Sequence, residues 1–307
     1  MTIFTPSTVS NAVSRLFALL ITFTFFSNAQ AQERNFGIAY SENLKGNTAL
    51  FGNTLMHIVS NNGNVNLTKM NGNSANGNSS YGNNSENMQQ VDIDGNSGVG
   101  AGTRNSSSAN LTLPAGTNTI KLARLYWGGR VTNNDFNSYS GNKNIKVRFG
   151  TSGAYSELGA LQLDSQKLGS YFHYQMYTDV TALVQANGTG TYTVGNAPLS
   201  TGSTAAGYYG GWSILVVYEN ASLPYSSVRV YDGFREVYNG GNSLTSTVTL
   251  TGLDVPSGAL SNTDAKMGVV TWEGDAQLTN DFLKINGNVF SNTLNATNNP
   301  WNGTISD

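Results

Sequence analysis

The sequence predicts an all-β protein, an antiparallel two-layer β-sandwich or jelly roll with long Asn/Gly-rich loops. Three observations predict it. Behind an N-terminal leader, apolar residues recur at every second position, the mark of strands with one buried face. Two runs, Trp212–Tyr218 and Met267–Trp272, are apolar on both faces and read as central strands between layers. Helical periodicity is nearly absent, the single candidate being Asp179–Val184, where Asp179 could cap a turn or two. A propeller would need a repeat of roughly 40 residues, and the chain has no such self-similarity.

The elements follow in order. Arg15, the apolar run Leu16–Phe26 and Ala29-Gln30-Ala31 are the basic, apolar and cleavage parts of a secretory signal peptide over residues 1–31. The run is too short to span hydrocarbon, which needs roughly 20 apolar residues. No later stretch approaches that length, so the expected product is an exported protein without an integral membrane segment, on the cell surface or outside the cell. Residues 32–307 are expected to form one domain. Residues 60–87 are mostly Asn, Gly and Ser. They read either as a ligand-contacting loop or, preferably, as a long insertion whose glycines make ordering costly. Ala109, Leu111 and Leu113 alternate with polar neighbours, as do Ile145, Val147 and Phe149, and Leu244, Val248 and Leu250. Leu283 and Ile285 face Val289 across Asn286-Gly287, a hairpin signal because both turn residues accept positive φ.

Composition narrows the function. Only 11% of the 307 residues are charged, against roughly 25% in an average soluble domain. The surface is covered instead by the 40 asparagines, the 35 glycines and the hydroxyl residues. Sixteen basic against 18 acidic residues leave a net charge of −2, which excludes the broad basic field of a nucleic-acid binder. No cysteine is present, so neither disulfides nor a thiol nucleophile enter the account. A chain of this size manages without staples, since roughly three quarters of its unfolded surface can be buried.

The inventory for catalysis is thin. His57 and His173 lie in strand-like stretches, and His173 alternates with aromatics, as a packed or surface strand histidine does. Gly211-Trp212-Ser213 lacks the second glycine of a nucleophile elbow. Gly98–Gly102 has no lysine and no following helix, so it reads as a turn rather than a phosphate loop. Glu273 and Asp275, with Asp281 six residues on, are the best carboxylate set. Beside Trp272 they read as a solvated loop, a cation or glycan site, or, least of all, a hydrolytic pair. The other candidate is a structural Ca²⁺ site at Asp92, Asp94 and Asn96, three oxygen side chains about a glycine. Its alternative is an Asp-Gly turn that needs no metal. The aromatic-glycine clusters Leu125–Gly129 and Tyr208–Trp212 read first as core at strand ends, second as a binding patch.

A series of short motifs carries a family likeness. In order they are Val91–Gly95, Asn105–Ala109, Leu125–Gly129, Asp179–Thr181, Gly190–Val194, Gly211–Asn220, Tyr231–Phe234 and Trp272–Asp275. Together they resemble the N-terminal β domain of large bacterial cell-surface proteins that carry tandem immunoglobulin-like repeats downstream. The likeness covers about residues 35 to 305. It implies a non-enzymatic adhesin or surface-layer binding domain whose partner is a surface glycan or a protein, and it transfers no catalytic residues. One departure is that the sequence stops at Asp307 without such repeats or an anchoring signal, which leaves open whether it is a fragment of a longer repeat protein and how it attaches. The second functional expectation is a carbohydrate-binding module, or an accessory domain of a secreted glycan-degrading enzyme.

Overall fold

A computed structural model describes residues 33–59, 82–95, 102–139, 141–237, 245–254, 265–303 and 305. The expected leader at 1–31, most of the 60–87 tract, Asn96 and Leu244 lie outside the described residues. The elements are β1 (Arg34–Thr54), β2 (Met56–Ile58), β3 (Met88–Gln90), β4 (Ser106–Leu111), β5 (Thr119–Thr132), α1 (Asn133–Ser138), β6 (Asn144–Phe149) and β7 (Ser156–Gly159). They continue with β8 (Gln162–Leu168), β9 (Tyr171–Asp179), α2 (Thr181–Asn187), β10 (Gly190–Gly195), β11 (Gly210–Glu219), β12 (Tyr225–Phe234), β13 (Leu283–Ile285) and β14 (Asn288–Phe290). The molecule is all-β, and every ladder between these strands is antiparallel.

Two sheets form the sandwich, one connected β12-β1-β11-β5-β9-β8 and the other β4-β10-β6-β7. Between them lie Phe51, Leu125, Trp127, Met176, Trp212, Ile214 and Val216 from the first sheet and Leu111, Ile145, Val147, Tyr192 and Val194 from the second. Phe51 is the hinge of this packing, 5.6 Å from the Tyr192 ring and edge-on to Trp212 at 6.1 Å. The polar edge of Trp212 is satisfied too, its Nε1 donating to Ser107 Oγ at 2.8 Å across the sandwich. The aromatic-glycine clusters are therefore core. Trp127 and Trp212 are direct cross-strand partners, and the glycines after and before them, Gly128 and Gly211, pair next to them.

β1 serves two ladders with its two halves. Residues 46–54 pair with β11, and residues 34–45 pair with β12. Straight, a strand of this length would run about 70 Å. Yet Arg34, at its start, bonds Asp164 on β8, at the far edge of the sheet. The two facts require β1 to bend over the sheet, and its ladder partner changes from β12 to β11 between Lys45 and Gly46. A Cβ on Gly46 would stand 2.1 Å from the Tyr218 carbonyl oxygen, and one on Gly52 2.1 Å from the Trp212 carbonyl oxygen, so the β1–β11 ladder leaves room only for glycine at both positions. The β1–β12 ribbon then lies across the outer face of the sheet, where Val228 and Val230 pack on Val217, Leu122 and Leu215. The sheet so rolled is nearly a closed barrel.

Some sequence expectations fail here. Residues 245–250 and 267–272 belong to no strand, and most of their side chains are exposed. Alternation marks an extended chain against a surface, and that surface need not be a hydrogen-bonded neighbour. The Thr251 and Gly252 carbonyls accept from the Tyr231 hydroxyl and from Arg229 Nε, both side-chain donors on β12. Met267–Trp272 runs from Leu50, beside Gly268, to Gly128, beneath Trp272, so it covers the sheet instead of joining it. The Asn286-Gly287 turn is as expected, with φ of 49° and 83° between β13 and β14. Asp179 is not the cap of α2, whose N-cap is Val180 with no side-chain cap bond; its Oδ1 accepts instead from the Thr181 N–H at 2.9 Å, in the turn that leads into the helix.

Candidate functional site

Polar side chains collect on the outer face of the large sheet. By the register, β9 turns His173, Gln175 and Tyr177 outward, β5 turns Arg124, Tyr126 and Arg130, and β8 adds Asp164. On an uncovered sheet these would meet water. Here the β1–β12 ribbon and the 265–275 segment lie over them, so each needs a protein partner.

At one end the partners are ionic. Arg34 grips Asp164 through Nε–Oδ1 at 2.9 Å and Nη2–Oδ2 at 2.8 Å. Asp232 accepts from Arg34 Nη2 at 2.9 Å and from Arg124 Nη1 at 3.0 Å. Asp164 and Asp232 are 2% and 5% exposed, so two anions are buried only because two cations reach them. The hydrogen bond to Asp164 raises Arg34 beyond its already high value. Burial pushes the Tyr126 phenol, beside Arg124, up to about 12.

At the other end is the carboxylate set picked out by sequence. Trp272 lies on Gly128, where a Cβ would come within 2.8 Å of the indole, and its Nε1 donates to Gln175 Oε1 at 3.0 Å. That anchors the two residues that follow. Asp275 is buried and accepts from the Asn83 N–H at 2.9 Å and the Asn84 amide at 2.6 Å. Its backbone oxygen accepts from Asn299 Nδ2 at 3.0 Å. Asp275 thereby clamps the end of the 60–87 tract to the C-terminal segment. Gly82 lets it in, since a Cβ there would sit 2.0 Å from Asp275 Oδ1.

Glu273 hydrogen-bonds Asp275, and surrounding protein followed by the Asp275 charge pushes its carboxyl up to about 7. The residue nonetheless keeps a solvent-exposed surface. Asp281 is exposed and acts only through its charge, which raises both carboxyls. Nearby, His173 Nδ1 stands 2.6 Å from Glu236 Oε1 and 3.1 Å from the Tyr209 hydroxyl. Burial holds Tyr209 far above its ordinary range, so it stays protonated.

The Asp92–Asp94 candidate is assembled differently. Asp94 accepts from the Tyr155 hydroxyl at 2.7 Å, Ser106 Oγ at 3.1 Å and Thr103 Oγ1 at 3.2 Å, with Arg148 Nη2 at 3.5 Å. These donors, with the Asp92 carboxyl, hold Asp94 down to about 2 despite partial burial. Burial and Asp94 raise Asp92. The structure brings Asp92 and Asp94 together. As arranged, the Tyr155 and Thr103 hydroxyls donate to Asp94, the single Ser106 hydroxyl proton is shared between Asp92 and Asp94, and the Arg148 guanidinium supplies positive charge. Among the described residues, no three His, Asp or Glu side chains converge closely enough to hold a metal ion.

Sequence reasoning missed Arg34, Asp164, Asp232 and the His173–Glu236–Tyr209 group. The available signal was polar residues at outward positions of strands in the middle of a sheet. No helix among the described residues is long and apolar enough to cross a membrane.

The fold and site define an antiparallel β-sandwich with a covered polar layer on its larger sheet. The chain belongs to the family described as Protein of unknown function (DUF3344), which it matches over residues 57–304. No curated protein and no solved structure matches it.

Proposed function

We propose that this is an exported, non-enzymatic cell-surface protein, the binding domain of an adhesin or surface layer. The observation that carries the reading is the use made of the carboxylates. Asp164, Asp232 and Asp275 each tie separate chain segments together, and Glu273 is bonded to Asp275. The signal-like leader, the charge-poor Asn/Gly surface and the resemblance to surface proteins support the same reading. Contacts through such a surface depend little on salt, because few are ionic. The test is attachment of cells with and without the gene, at low and at 0.5 M salt, with N-terminal sequencing of the exported chain. The expected results are lost attachment, little salt dependence and a mature N-terminus after Ala31. Unchanged attachment together with an uncleaved chain would defeat the proposal.

The second reading, a carbohydrate-binding module or accessory domain of a glycan-degrading enzyme, is favoured by one observation. Tyr225, 76% exposed, stands at the edge of a groove.

A further inference from the structure

Beside the point where β1 passes from β12 to β11 lies a groove of about 370 Å³, bordered by Glu42, Lys45, Thr117, Thr119, Glu219 and Tyr225. Its floor is β1, one wall is the turn between β11 and β12, and the other is the loop leading into β5. The buried Asn220 ties these three parts together. Its N–H donates to the Lys45 carbonyl at 2.8 Å, and its amide donates to Ala115 O at 3.1 Å and Asn118 Oδ1 at 2.9 Å. Its Oδ1 accepts from the Ser222 N–H at 3.0 Å and hydroxyl at 2.6 Å. The groove is thus formed before any ligand arrives, as binding clefts of this volume are.

Its chemistry is balanced. Lys121 reaches Glu42 Oε1 at 3.2 Å and Glu219 Oε2 at 3.7 Å, and Lys45 lies 5.5 Å from the Tyr225 ring centroid. Two carboxylates and two ammoniums cancel, so the groove selects neither a phosphate nor a polycation. What it offers is hydroxyl, carboxylate and ammonium groups within reach of one exposed ring. Tyr supplies rigid contact area with an apolar face and a polar tip. Carboxylates accept from hydroxyl donors, and the threonines and Lys45 donate to hydroxyl and ring oxygens.

We propose that this groove binds a neutral, hydroxyl-rich saccharide, with Tyr225 as the stacking platform and Glu219, Lys45 and Thr119 as polar contacts. The inference rests on the reading of the chain as a surface-binding domain and names its ligand class. The test uses the purified full chain on an array of neutral cello-, malto-, xylo- and manno-oligosaccharides, followed by titration of the best binder. Tyr225→Ala should weaken binding at least tenfold with an unchanged thermal melt, and Tyr225→Trp should retain it. Glu219→Gln should weaken it severalfold. Saccharide binding indifferent to Tyr225→Ala would overturn the groove assignment. No saccharide binding by a chain that still mediates cell attachment would overturn the saccharide inference and leave the surface-binding reading intact. Absence of both would sink the two together.

Discussion

Arg34 and Asp164 stand 130 positions apart in the chain and meet through two parallel contacts of 2.9 and 2.8 Å. The pair fastens the free end of the folded-over ribbon to the far strand of the sheet. Asp164→Leu removes the acceptor and leaves a guanidinium at a partly covered site. With Arg34 about one third exposed, solvent recovers part of the loss, so the expected cost is about 2–3 kcal/mol. Replacing both together, Arg34→Met with Asp164→Leu, should cost less than the single change. Urea unfolding of Asp164→Leu, Arg34→Met and the double variant measures it, and additive costs would show that the pair does not act as a unit.

Glycine is required where β1 joins β11 and dispensable a few residues earlier. Gly46→Ala places a methyl 2.1 Å from a backbone carbonyl oxygen, which cannot rotate away. A loss of at least about 3 kcal/mol, or failure to fold, is expected. Gly37 has nothing within 4 Å of the added Cβ, so Gly37→Ala should stay within about 0.5 kcal/mol of the parent. Equal melting temperatures for the two variants would contradict the close approach of β1 and β11 at Gly46.

Glu273 gives stability an inverse dependence on pH. Its folded pKa, about 7, lies above the ordinary glutamate value of 4.5. Between those values the folded chain holds more protons than the unfolded one, so this contribution is present at pH 4–5 and is lost as pH rises through 7. The exposed flank of the residue screens the effect to on the order of 1 kcal/mol. Glu273→Gln, neutral throughout, should flatten the profile and raise stability at pH 8. Urea unfolding at pH 5 and 8 decides it, and identical slopes in parent and variant would remove Glu273 as the cause.

At Asp94 the donors are protein groups, and this sets the response to calcium. Asp94→Asn weakens contacts with Tyr155, Ser106, Thr103 and Arg148 and should cost about 1–3 kcal/mol. Millimolar calcium or chelator should leave the melting temperature unchanged. A calcium-dependent rise that disappears in Asp92→Asn/Asp94→Asn would instead establish a cation site there.

How much of this was legible depends on whether a residue's partner lies on its own strand pattern. Trp212–Tyr218 was readable as a central strand because both faces are apolar, and it pairs on both edges. Met267–Trp272 carries the same pattern yet pairs with nothing, because an apolar run records that a chain meets a surface and not which surface. Glu273 and Asp275 were visible as neighbours in sequence. Their setting was not, since Asn83, Gln175 and Tyr209 come from distant segments. Arg34 carries no signal in the sequence, because only the bending of β1 over the sheet brings it to Asp164.

The pairing of β1 also imposes an order in time. β1 finds its partners only in residues 211–234, so the first strand of the domain must wait for the late strands β11 and β12. Contacts closed over such separations form slowly. While the chain is being made, its opening strand has no ladder to join, so the outer face of the sheet is the last part of the domain to close.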